Sequence, residues 1–119
     1  MAYTIYVKNE QGDPIVSLGV GGISAGTMVY GLWEMHKEGK IRKEAGGYMI
    51  EVFILDNHMA VPLIVKHVEE SLRFLENYLD KPNGQCDYQK EVYRYYEGRI
   101  DRCKSLTDDF YYFEVWDLS

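Results

Sequence analysis

Residues 16–26 read VSLGVGGISAG, and two chemical patterns overlap there. Gly22-Ile23-Ser24-Ala25-Gly26 spells G-x-S-x-G, the strand–turn–helix corner on which α/β-hydrolases expose a nucleophilic serine. Gly19-x-Gly21-x-x-Ser24 is close to the glycine turn that seats a pyrophosphate at a helix N-terminus. The chemistry on offer is acyl transfer or phosphate binding. A serine hydrolase of this kind needs an acid and then a histidine base after the serine. Asp56 with His58 or His67 meets that order. The context is poor, because the strand before Ser24 reads as half of a hairpin rather than as part of a parallel sheet. The dinucleotide pattern wants an acidic residue about 20 positions on, at the end of a second parallel strand; Glu38 falls at the end of a helix instead. No lysine follows the glycines as a Walker motif requires.

Metal and cofactor chemistry finds no support in the spacing. His36, His58 and His67 have no ligand-type partner four residues away on a helix, and Cys86 and Cys103 are not a C-x-x-C pair. Each histidine is expected to be partly exposed and not a ligand. A helix between the two cysteines would hold them about 25 Å apart, too far for a disulfide. They read as free thiols of a reducing compartment.

What remains is binding. Backbone N–H groups at Gly21, Gly22 and Ser24, followed by a helix, can receive an anion without any catalytic group. Tyr88, Tyr95, Arg99 and Arg102 fall on one stripe of a helix, with rings for stacking and guanidinium groups for phosphate. Trp116 adds another flat surface. The plainer reading is that Arg99 and Arg102 pair with Glu91 or Asp101 at the surface and that the rings edge the core. The functional expectation is a non-enzymatic, oligomeric protein that sequesters a small anionic ligand of nucleotide type. The alternative is an acidic, tyrosine-rich inhibitor of a basic host protein, with the small serine hydrolase third.

Composition points the same way. The 119 residues carry 19 Asp and Glu against 13 Lys and Arg, a net charge of −6. Broad binding to a nucleic-acid backbone needs clustered positive charge, so a polymer of that kind is disfavoured. Eleven tyrosines are far above ordinary usage, and Tyr suits interfaces and flat ligands. No apolar run is long enough to span a membrane, and MAYTIYVKNE lacks the pattern of a signal peptide, so the expected location is the cytoplasm. A small, acidic, tyrosine-rich chain without catalytic motifs is similar in style to many phage and mobile-element proteins that block or titrate host factors, a likeness of composition alone.

The elements that must position these residues follow from periodicity. YTIYVK alternates and NEQGDP is dense in turn formers, so residues 3–8 and 15–20 predict a hairpin. Ser24 is placed to cap a helix starting at Ala25 and ending at Gly39, with Lys37, Lys40, Arg42 and Lys43 around its end. YMIEVFIL, residues 48–55, reads as a central strand buried on both faces. Asp56-Asn57 can cap a second helix with Pro62 in its first turn, and residues 87–103 predict a third. FYYFEVW, residues 110–116, is the last strand. The expected fold is one α+β domain over residues 1–119, in the order β-β-α-β-α-α-β. Its four-stranded sheet is at least partly antiparallel, with helices packed on it. Exposed terminal strands would pair with another copy in a homodimer or an assembly of dimers.

Overall fold

The computed structural model describes residues 3–117. The alternating first segment and its turn build the expected hairpin: β1 (Tyr3–Lys8) pairs antiparallel with β2 (Pro14–Leu18), setting Ile5 opposite Leu18 and Val7 opposite Val16. Asn9 Oδ1 closes the turn by accepting the N–H groups of Gln11 and Asp13. The rest of the sheet is β3 (Arg42–Ala45), β4 (Ile50–Asp56) and β5 (Phe110–Asp117). The strand order is β2-β1-β5-β4-β3, and every pair is antiparallel.

Register decides which side chains face the helices. Phe53 lies opposite Phe113, Leu55 opposite Tyr111 and Ile5 opposite Val115, so all six share one face. Each of the six is at most 3% exposed. The helices α1 (Gly26–Lys37), α2 (Asn57–Leu75), α3 (Asp87–Glu97) and α4 (Ile100–Lys104) gather on that face. A short 3-10 turn, Glu76–Tyr78, follows α2. In α2 the buried Ala60, Ile64, Val68, Ser71 and Leu75 repeat at the three-and-four spacing of an amphipathic helix. Helix α1 leans on the sheet through Val29, Leu32 and Trp33, whose ring meets Phe53 edge-on at 5.6 Å.

The α+β class, the antiparallel sheet and the single packed unit match expectation; several details do not. The sheet has five strands, not four, because Arg42–Ala45 forms β3 instead of trailing the first helix. Its charged residues suit an edge that pairs on one side only. The terminal strands β1 and β5 are interior, each paired on both sides, so neither offers a free edge to another copy. Strand β4 begins at Ile50 rather than Tyr48, because Tyr48 and Met49 form the turn from β3, where Gly46 and Ile50 close the hairpin. It is covered by helices on one face, not two.

The third helix also breaks. It ends at Glu97, and α4 resumes at Ile100 after Gly98, a residue of poor helix propensity. Helix α2 starts at Asn57, so Pro62 sits inside it rather than in the first turn. The start is held not by an Asp56 cap but by Asn57, whose side chain donates to the carbonyls of Leu106 and Asp108 and whose N–H donates to that of Asp109. Among the described residues no helix is long and apolar enough to cross a membrane.

Candidate functional site

Helices α1 and α2 do not interlock side by side. A cleft of about 300 Å³ separates them, with apolar walls from Ile23, Met28, Met35 and Leu63 and polar groups from Ser24, Thr27, Lys66, His67 and Glu70. Both walls follow from helical spacing. Ser24, Thr27, Met28, Gly31 and Met35 succeed one another along α1 and the turn leading into it; Leu63, Lys66, His67 and Glu70 do so along α2. The size is at the lower end for small-molecule sites, and mostly apolar walls with a few polar groups are the usual composition of one.

Gly31 carries the most telling detail. It lies in the middle of α1 on the cleft wall, and a Cβ built on it would meet nothing within 4 Å. A glycine inside a helix costs about 0.5–1 kcal/mol relative to alanine. Among the described residues no contact at that position requires the glycine, since its conformation is helical and the space around it is open. The residue keeps volume in the cleft.

At the floor, His67 anchors the glycine turn to α2. Its Nε2 accepts the Gly19 N–H at 3.2 Å, which places the ring proton on Nδ1. Burial lowers its pKa below the ordinary histidine value, partly offset by the nearby Glu70. The expectation of a partly exposed His67 is therefore corrected: the residue is 9% exposed and belongs to the packing at the cleft floor. Ser24 and His67 line the same cleft, but the Nε2 lone pair that a base would use is already engaged. Ser24 Oγ accepts the Gly26 N–H at 2.9 Å, so it does tie off the first turn of α1, while Ala25 is the residue at the N-cap position. Asp56, at the far end of α2, is 11 residues or about 16 Å along the helix from His67.

The residues expected to bind together separate into distinct places. Ser24 is in the cleft. Gly21 is packed against α3, where a Cβ would come within 2.9 Å of Val92 Cγ1; Gly22 faces open space. Both adopt positive φ, so the glycines serve the chain reversal. Tyr88 and Tyr95 line a second, shallower hollow of about 360 Å³ with Ser17, Val20, Glu91 and Val92. Arg99 adjoins it, its guanidinium stacked 3.8 Å from the Tyr95 ring centre and its Nη1 donating to the Tyr95 carbonyl. Arg102 is carried by α4 into a small hollow with Asn9 and Asp108, off the stripe, because the helix breaks before it. Trp116 is on the opposite face of the sheet, where its Nε1 donates to Glu114 at 2.7 Å. Among the described residues, no three His, Cys, Asp or Glu side chains converge on a position that could hold a metal ion, and both cysteines are free.

Lys66, Thr27 and Gly31 were not among the expected site residues. Their helical spacing along each wall was legible, but not that the two stripes face each other. No protein-family model matches this chain, and comparison with curated proteins and with solved structures returns no match.

Proposed function

We propose that this protein is a non-enzymatic binding protein that sequesters a small anionic ligand of nucleotide type in the cleft between α1 and α2. The observation that carries this reading is Gly31, which keeps open a volume that the free protein does not use. Around it, Met28, Met35 and Leu63 offer soft apolar contact for a flat ring. Lys66 supplies a cation, and Ser24 and Thr27 supply hydroxyls beside the N-terminus of α1, where negative charge is favoured. Glu70 can accept from a ligand hydroxyl or amine. The chemistry required is recognition; no step of bond making is assigned.

Titration with a panel of cyclic nucleotides and ADP-ribose-type nucleotides tests it by calorimetry. At least one member should bind saturably; Lys66→Glu should weaken that binding at least tenfold, and Gly31→Leu should abolish it without lowering the melting temperature. Arg99→Ala should leave affinity unchanged; a loss there would move the site to the tyrosine hollow on α3. A flat titration across the panel overturns the proposal.

One observation favours a second reading, a protein-binding inhibitor of a basic host factor. Tyr48 stands 90% exposed at the β3–β4 turn, with Tyr30 and Tyr88 also largely exposed. A salt-sensitive partner lost on Tyr48→Ala would favour that reading over the first.

A further inference from the structure

The helix-free face of the sheet has an apolar centre within a polar and charged rim, where a solvated face would be mostly polar throughout. Tyr6, Val52, Ile54, Phe110, Tyr112 and Trp116 all lie on it, as the register of β1, β4 and β5 requires. Ile54 is only 5% exposed although it is outside the main core cluster. Tyr6 and Trp116 pack edge to face at 5.8 Å, and Phe110 and Tyr112 at 5.4 Å, so the surface is already ordered. Strand β4 is apolar on both faces, yet the fold supplies helices to one. Covering the second face takes a second layer.

We infer that the second layer is the same face of a second copy, packed sheet to sheet about a twofold axis. Charge selects this occupant. The strand positions on the face carry Lys8 and Arg42 against Glu44, Asp56 and Glu114, and Lys8 is already bonded to Glu114 at 2.9 Å. The face is thus close to neutral in a chain of net charge −6, so two copies can meet here with least repulsion. A nucleic-acid strand would find aromatic rings but little free positive charge. Area agrees: five strands of about six residues outline roughly 24 by 20 Å, or about 1,000 Å² over two copies, at the lower bound of a specific interface.

The sheet edges are poor alternatives. On β2, the N–H and carbonyl of Ser17 are taken by Tyr95 and Tyr96. The other edge, β3, is short and charged. The inference is independent of the ligand proposal, since the cleft lies on the helical side.

Light scattering across a concentration series should give twice the chain mass for the wild type. Tyr112→Glu and Val52→Lys, each keeping the wild-type circular dichroism spectrum, should halve it. Hydroxyl-radical footprinting of the unmutated protein should show Tyr6, Tyr112 and Trp116 protected as concentration rises, and Tyr48 unchanged. A wild type that stays monomeric overturns the inference, as does a dimer in which those three rings gain no protection. So does a monomer whose Trp116 fluorescence is quenched by a single-stranded homopolymer oligonucleotide.

Discussion

At the scale of single residues, two positions hold the glycine turn in place. Gly19 adopts φ +84°, and a Cβ there would fall 2.6 Å from the Tyr3 carbonyl oxygen and 2.9 Å from Ala25 Cβ. Both the left-handed conformation and the clash with backbone oppose any side chain. Gly19→Ala should therefore cost at least about 2 kcal/mol of unfolding free energy, read as a shift in denaturant midpoint. Gly22, with no atom near its Cβ position, should tolerate alanine better. His67 accepts from the same Gly19 N–H, so the folded state favours the neutral ring and its pKa is lowered by burial. The unfolded chain then binds more protons below the ordinary value of about 6.5. Stability from this group is complete above that pH and is lost as pH falls toward the lower folded value. Between pH 7.5 and 5.5, above the carboxylate range, the melting temperature should fall more for the wild type than for His67→Gln. Equal falls would show that the histidine carries none of the pH dependence.

At the scale of elements, α3 acts as a clamp on β2. An edge strand leaves outward N–H and carbonyl groups unpaired. Ser17 presents both, and α3 meets them with adjacent tyrosines: the Tyr95 hydroxyl accepts the N–H at 2.8 Å and the Tyr96 hydroxyl donates to the carbonyl at 2.9 Å. Tyr96 is fully buried, and burial pushes its phenol well above the ordinary tyrosine value, so it stays a donor. Tyr96→Phe keeps the packing and removes that donor, at an expected cost of about 1–3 kcal/mol for the carbonyl left unpaired. Hydrogen exchange should speed up in β2 before it does in β5. Tyr88 and Tyr95 were visible in the sequence as part of a candidate binding stripe. The structural role of Tyr95 and Tyr96, hydroxyls aimed at a strand edge 78 and 79 residues away, was not, because that pairing crosses most of the chain.

At the scale of the whole molecule, the two proposals divide the surface. The cleft belongs to the helical layer and the apolar sheet face to the other side, so binding and assembly are separable by mutation. Gly31→Leu should silence the first and leave mass unchanged, while Tyr112→Glu should do the reverse. The helix break at Gly98 has a consequence at this scale too. It directs α4 back along α2 and gives Arg102 a different surface from Arg99, which dissolves a four-residue stripe drawn on one continuous helix.

Periodicity and turn chemistry were enough to place the hairpin, the buried stripe of α2, the existence of β4 though not its cover on one face only, and the in-out alternation of β5, since each is set by neighbours within a few residues. They also read VSLGVGGISAG as a corner into a helix capped by Ser24; Ser24 does accept the Gly26 N–H, but Ala25 holds the N-cap position. Tertiary structure alone decided the rest. Strand β3 has no local apolar signal and exists because β4 offers it an edge. The terminal strands are interior because β5 returns to pair between β1 and β4. The cleft exists because α1 and α2 stand apart on the sheet, which no spacing within either helix encodes. The physical reason is common to all three: local patterns fix which face a side chain takes, while its opposite partner is set by contacts distant in sequence.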